Sequence, residues 1–204
     1  MKRIGNLERK YVLDVLDSQF RTSQGAVYMT RFESAFSDKF KSKFAISHVN
    51  GTATMHSTLE ASGIGPGDEV IVPPLTMSAT SLAVLHANAT PIFADIDIDT
   101  FVIDAKSIEE KITERTKAII TVALYGLSPD MDPIMDIARK HNLLVIEDNA
   151  QAFLSYYKDR LVGTLGHAAS FSFQSSKHLT AGEGGIITTN DEDLAVGIRK
   201  VTGL

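Results

Sequence analysis

The run Phe171-Ser172-Phe173-Gln174-Ser175-Ser176-Lys177-His178-Leu179-Thr180-Ala181-Gly182-Glu183-Gly184-Gly185 is the most informative stretch of this chain. It begins at the end of a β-type segment, residues 169–173, reaches a lysine, and closes in a glycine-rich turn that leads into a second apolar segment. No acidic residue lies within five positions of Lys177. A lysine held where water is scarce loses part of its preference for the charged form and becomes available as an amine nucleophile. Such an amine can form a Schiff base with a carbonyl or with pyridoxal phosphate (PLP). Taken alone, Lys177 reads first as an ordinary surface lysine. Features upstream shift that balance.

One is Asp148, in Leu143-Leu144-Val145-Ile146-Glu147-Asp148-Asn149-Ala150-Gln151-Ala152. Four apolar residues ending in two carboxylates read as a buried strand with polar groups at its carboxyl end, where open α/β sheets place their ligands. PLP needs a carboxylate against its pyridine nitrogen, because the protonated ring is the stronger electron sink. The same pair also reads as a helix N-cap and a first-turn charge, so alone it leaves both readings open.

The other is Asn50-Gly51-Thr52-Ala53-Thr54, between an extended segment at 44–49 and a helix-like run at 53–62. A glycine turn that opens a helix presents unpaired backbone N–H groups and a positive dipole end to an anion, here a phosphate. Thr52 and Thr54 add hydroxyl donors. A plain helix cap has the same appearance.

Outward from these pieces, apolar runs alternate with amphipathic stretches. Strands are expected at 44–49, 69–72, 90–94, 118–122, 143–147, 169–173 and 185–189, and helices at 53–62, 77–87, 107–112, 133–141 and 191–201. Two more helices precede them, at 5–20, with Leu7, Tyr11, Val12, Val15 and Leu16 on one stripe, and at 27–41. Alternation of this kind specifies an α/β fold, a mainly parallel sheet between two layers of helices.

Composition narrows the chemistry. The chain has 204 residues, 44% hydrophobic and 22% charged, with a net charge of −5 that argues against nonspecific nucleic-acid binding. It has no cysteine, which excludes a disulfide framework, a thiolate nucleophile and cysteine-based metal sites, and fits a reducing cytoplasm. No apolar run follows Met1-Lys2-Arg3, so no signal peptide is expected, and no stretch has the length of a membrane span. Gly65-Pro66-Gly67 and Gly182-Glu183-Gly184-Gly185 both lead into strands, so neither has the context of a dinucleotide fingerprint. No Gly-x-Ser-x-Gly elbow or His-x-x-x-His pair points to a serine hydrolase or a zinc site, and no metal is expected. Of the six histidines, only His178 stands beside a candidate site residue.

The order of phosphate turn, carboxylate strand, and lysine after a strand carrying Ser172 resembles the fold-type I PLP enzymes. More closely it resembles the DegT/DnrJ/EryC1/StrS sugar aminotransferase family. The likeness rests on Gly25 with Phe32-Glu33, Asn50-Gly51-Thr52-Ala53, Gly65-x-Gly67-Asp68-Glu69-Val70, and Asp95-Ile96-Asp97. It continues through Thr113-x-x-Thr116-Lys117-Ala118-Ile119, Leu124-Tyr125-Gly126, Glu147-Asp148-x-Ala150-Gln151 and Phe171-Ser172-Phe173-x-x-x-Lys177. These blocks follow in order over nearly the whole chain.

The resemblance implies an N-terminal helical segment at 1–20 and the large PLP-binding domain of a fold-type I aminotransferase at 21–204. It also implies a C-terminal small domain, which this sequence is expected to lack. By resemblance, Lys177 carries PLP and shuttles a proton, and Asp148 pairs with the pyridinium nitrogen. Gln151 hydrogen-bonds near the ring hydroxyl, Gly51, Thr52 and Ala53 with Ser172 hold the phosphate, and Met77 covers one ring face. The implied reaction passes an amino group from glutamate or glutamine to a keto sugar, nucleotide-linked, for aminosugar or surface-polysaccharide synthesis. The implied assembly is a homodimer whose sites borrow residues from the partner subunit, and the composition sets the expectation of a cytoplasmic location.

Two positions depart from the family pattern. Met77 stands where most members carry a ring-stacking aromatic, and Ala123 stands where relatives often have histidine. A branch that dehydrates keto-deoxy sugars has histidine in place of the lysine, so Lys177 argues against it. Amination of a cyclitol ketone and a non-catalytic PLP-binding or regulatory relative remain as alternatives.

Overall fold

The computed structural model of the chain describes residues 4–18 and 27–203. Gly25 and the last residues of the helix expected at 5–20 lie outside the described residues. The strands are β1 (Phe44–His48), β2 (Glu69–Val72), β3 (Thr90–Phe93), β4 (Thr116–Val122), β5 (Leu144–Asp148), β6 (Tyr156–Tyr157), β7 (Arg160–Leu161), β8 (Ala168–Ser172) and β9 (Gly185–Thr189). The helices are α1 (Asn6–Asp17), α2 (Val27–Phe40), α3 (Gly51–Ala61), α4 (Ala79–His86), α5 (Ala105–Lys111), α6 (Met131–His141) and α7 (Glu192–Thr202).

The main sheet has the order β1-β9-β8-β5-β4-β2-β3. Only β9 runs against its neighbours, being antiparallel to both β1 and β8. The pairs β8/β5, β5/β4, β4/β2 and β2/β3 are parallel.

The two faces of the sheet can be read from the alternation of side chains along each strand. Val70, Val72, Ala118, Ile120 and Ile146 pack with Met55 and Leu59 of α3 and Ala83 and Val84 of α4. The residues between them, Ile71, Ile119 and Val145, pack on the other side with Ile108 of α5 and Met131, Ile134 and Ile137 of α6. Neighbouring strands extend both layers. Ile46, Ala168 and Ile187 meet Leu194, Ala195 and Ile198 of α7. Ala45, Ala169, Phe171 and Ile186 meet Phe36 and Phe40 of α2. The result is the expected three-layer α/β/α fold. Strands buried on both faces carry no polar alternation, which explains the apolar runs Val70–Val72 of β2 and Ala118–Ile120 of β4.

Some details differ from the sequence expectation. Helix α3 begins at Gly51, two residues before the expected 53, because the Asn50 side chain accepts the Ala53 N–H at 2.8 Å and caps the helix there. Helix α4 begins at Ala79, which leaves Met77 in the loop before it. No helix follows β5, so Glu147 and Asp148 are not a cap pair. The hairpin β6–β7 was not expected. It is short and polar, and the ion pairs of Lys158 (2.5 Å) and Arg160 with Asp132 tie it to the start of α6.

Helix α1 buries none of its residues. Leu7, Val12 and Leu16 of the expected stripe are each at least half exposed, because α1 meets α2 through other groups. Tyr28 Oη donates to Asp14 Oδ2 at 2.6 Å, and the Tyr11 and Tyr28 rings lie 5.1 Å apart. Among the described residues no helix is long and apolar enough to cross a membrane.

Candidate active site

Parallel strands bring their carboxyl ends to one edge of the sheet, and a cleft of about 390 Å³ opens there. Val122, Asp148 and Ser172, at the ends of β4, β5 and β8, all line it. Val122 pairs with Asp148 in register, and Asp148 with Ser170. The start of α3 closes one side, and the loop between β8 and β9, which carries Lys177, closes another.

Residue parity separates the two carboxylates that looked alike in sequence. Glu147 faces the α6 layer, where its oxygens accept the N–H groups of Gly163 (2.7 Å), Leu165 (2.7 Å) and Gly166 (2.6 Å). It holds a loop and takes no part in the cleft. Burial raises its pKa above the ordinary carboxylate range, against the pull of those N–H groups.

Asp148 points the other way, into the cleft floor. Its Oδ1 accepts the Ala150 N–H at 3.1 Å and its Oδ2 accepts the Thr80 hydroxyl at 2.9 Å. Burial raises its pKa, while these two bonds and the charge of Lys177 act to lower it. A carboxylate in that position is a receptor for a cationic group brought into the cleft.

One end of the cleft is formed by the start of α3. Asn50 takes the Ala53 N–H, while the N–H groups of Gly51 and Thr52 have no hydrogen-bond partner among the described residues. Together with the helix dipole they present positive potential beside Ser172. Close contact enforces this geometry. A Cβ on Gly51 would lie 3.1 Å from the Ser172 Cβ. Thr54, expected as a further donor, instead gives its hydroxyl to the Gly51 carbonyl at 2.6 Å and shares a 2.5 Å contact with Ser170, so it braces the turn from beneath.

The remaining expected residues divide clearly. Lys177 is half-buried and lines the cleft, with its backbone N–H bonded to Gln174 O at 2.9 Å. Gln151 lines it too, and its Oε1 accepts the Tyr125 N–H at 3.0 Å, which leaves its amide N–H groups for the cleft. Met77 stands at the wall with 63% of its surface exposed. Gly51, Thr52, Asp148, Ser172, Gln151, Met77 and Lys177 thus share one cleft. Ala53 does not line it and faces a neighbouring groove with Met29 and His48. His178 is exposed and lies outside the cleft wall, and Ala123 is buried in the core beneath it.

Sequence reading gave no site role to Thr80, Gln174 or Glu183. Thr80 is wholly buried and bonds Asp148, whereas Gln174 and Glu183 line the cleft.

Known proteins resemble the chain in sequence and in fold. The family model for the DegT/DnrJ/EryC1/StrS aminotransferases matches residues 2–202. GDP-perosamine synthase of Caulobacter vibrioides is 50% identical over 201 residues, covering 98% of this chain and 54% of that protein. The crystal structure of an aminotransferase from Psychrobacter cryohalolentis superposes with a TM-score of 0.91 at 43% identity, over 96% of this chain and 50% of that one. The structure of NtdA from Bacillus subtilis with bound cofactor PMP superposes with a TM-score of 0.86 at 35% identity, over 97% of this chain and 45% of that one. The chain therefore spans about half the length of the relatives it matches. It belongs to the DegT/DnrJ/EryC1/StrS aminotransferase family.

Proposed function

We propose that residues 21–204 form the PLP-binding large domain of an aminotransferase that passes an amino group from glutamate or glutamine to a keto sugar carried on a nucleotide. The observation that carries this reading is the meeting of Asp148, Lys177, the start of α3 and Ser172 around one cleft. The residues present fit the cofactor. A buried carboxylate whose charge is only partly compensated matches a protonated ring nitrogen, and unpaired N–H groups at a helix start match a phosphate.

When bound, PLP supplies the electron sink for the carbon that loses or gains the amino group. The chain supplies the rest. Gly51 and Thr52 donate backbone N–H groups, and the hydroxyls of Thr52 and Ser172 add to them at the phosphate end. Asp148 holds a proton on the ring nitrogen by its charge. Gln151 has its oxygen tied to the Tyr125 N–H, so it offers an N–H donor, which suits an anionic ring oxygen. Met77 covers a ring face with its thioether. Lys177 would hold PLP through Nζ, and its amine would be the group that moves a proton at the reacting carbon. A soluble homodimer of cytoplasmic location, acting in aminosugar or surface-polysaccharide synthesis, completes the proposal. The sugar nucleotide named for the Caulobacter relative supports the substrate class.

The test is a half-reaction assay followed by a panel of keto substrates. The PLP-loaded protein should release a keto acid from glutamate or glutamine and then aminate a nucleotide-linked keto sugar in preference to a free cyclitol ketone. Asp148→Asn should retain part of the PLP but lose about 3–4 kcal/mol of barrier lowering, the usual scale of preorganised electrostatics. Release of keto acid by Asp148→Asn at the unaltered rate, or preference for the cyclitol, would contradict the respective part of the reading.

A further inference from the structure

Asp148 is not held by its strand alone. Thr80, on the first turn of α4, is completely buried, and its Oγ1 stands 2.9 Å from Asp148 Oδ2. Thr76, in the loop before α4, lines the cleft, and its Oγ1 stands 3.0 Å from the Thr80 Oγ1. The directions of these bonds follow from the charge at the end of the row. An ionised carboxylate accepts only, so Thr80 must donate to it. With that proton committed, Thr80 can only accept from Thr76. Both hydroxyl protons then point toward Asp148, and each bond polarises the next. If Asp148 were protonated, the row could reverse, with Asp148 donating to Thr80 and Thr80 to Thr76.

We propose that Thr76 and Thr80 form a hydroxyl relay whose polarity holds Asp148 in its ionised form, with Thr80 as a positioning residue that acts through Asp148. This goes beyond the roles of Lys177 and Asp148. It rests on the proposed function only for the identity of the cation that Asp148 meets.

The surroundings of Asp148 offer few other groups that favour its charge. Lys177 faces it from the loop between β8 and β9, and Glu183 lines the same cleft from that loop. Glu147, next along β5, faces the opposite layer. From α3 and its cap, only the uncharged Asn50, Gly51, Thr52 and Met55 line the cleft. The hydrogen bonds that favour the charged form are therefore the Ala150 N–H and the Thr80 hydroxyl. Burial opposes them. Loss of the Thr80 hydroxyl leaves Oδ2 without that donor, whereas loss of the Thr76 hydroxyl removes only the polarisation of the Thr80 bond.

Carboxyl-carbon NMR of aspartate-labelled protein without PLP reads this directly, with Asp148→Asn used to identify the resonance. Thr80→Val should shift the Asp148 titration upward by about one unit, the scale of one hydrogen bond to a charged group. Thr80→Ser, which keeps the hydroxyl, should titrate like the wild type, and Thr76→Val should shift upward by less. A wild-type titration in Thr80→Val, or equal shifts in Thr80→Val and Thr80→Ser, would overturn the relay. If Thr80→Val fails to fold, Thr76→Val and Thr80→Ser decide it, and a wild-type titration in Thr76→Val overturns it. PLP is absent throughout, so a failure of PLP to bind in a separate titration counts against the proposed function and not against the relay.

Discussion

Gly185 and Asn50 lie in backbone contact. A Cβ added to Gly185 would stand 2.5 Å from both the carbonyl carbon and the oxygen of Asn50, and 2.8 Å from the Gly51 nitrogen. The first residue of β9 thus sets how closely the turn that opens α3 approaches the sheet edge. Flexible side-chain ends could yield, but these atoms are backbone.

Gly185→Ala should therefore displace the Asn50–Gly51 turn. The expected cost is about 1–3 kcal/mol of stability, as for other overpacked sites. PLP should bind more weakly as well, because the N–H groups of Gly51 and Thr52 move with the turn. Gly65→Ala is the control, since its added Cβ would make only an ordinary 3.7 Å contact with Ala87 O. Urea titrations and PLP dissociation constants for both variants check this, and a Gly185→Ala protein that matches Gly65→Ala in both would refute it.

Met77 should accept a larger side chain. It is 63% exposed, stands in the loop before α4 and lines the cleft, so an aromatic ring there has room. Met77→Phe should tighten PLP retention by about 0.5–1.5 kcal/mol, the extra gain of an aromatic pair. Equal or weaker retention would show that Met77 is not at a ring face.

Acid sensitivity should arise in part at the opposite edge of the sheet. Glu69, buried at the start of β2, accepts the Thr113 hydroxyl at 2.5 Å and pairs with Arg115 at 2.5 Å. The Thr113 bond first, and then Arg115, hold its pKa below the ordinary glutamate value. A depressed folded-state pKa contributes stability that is present above the unfolded value and is lost as pH falls through the folded one. Glu69→Gln should thus be less stable than wild type at neutral pH. The gap should close as pH falls below the ordinary glutamate range, and urea midpoints from neutral to acid pH would reveal it. A gap independent of pH would show that the charge of Glu69 contributes nothing.

The fold was legible where chemistry repeats along the chain. Burial on both faces gives β2 and β4 their short apolar runs, Val70–Val72 and Ala118–Ile120, and the cleft residues mark the carboxyl ends of β5 and β8. What sequence did not reveal depends on partners far along the chain. Thr80 reaches Asp148 across 68 positions, and Glu147 reaches Gly163 to Gly166 across 16 to 19. Spacing within a helix or strand carries no trace of either contact. The hairpin at 156–161 was hidden for the same reason, since Asp132 lies 26 positions before Lys158. Ala53 was grouped with the proposed phosphate turn because it follows Gly51 and Thr52 directly. Only the Asn50 cap bond shows that its N–H is already used. The stripe on α1 shows the opposite failure, a periodicity correctly read in which Leu7, Val12 and Leu16 stay exposed.

The most direct measurement is the site of covalent PLP attachment. The protein incubated with PLP should develop a visible absorbance band that borohydride abolishes. Peptide mass spectrometry should then recover the reduced PLP adduct on the peptide containing Lys177, and Lys177→Ala should carry none. A stoichiometric adduct on another lysine, or an undiminished adduct in Lys177→Ala, would contradict the assignment of this cleft as a PLP site built around Lys177.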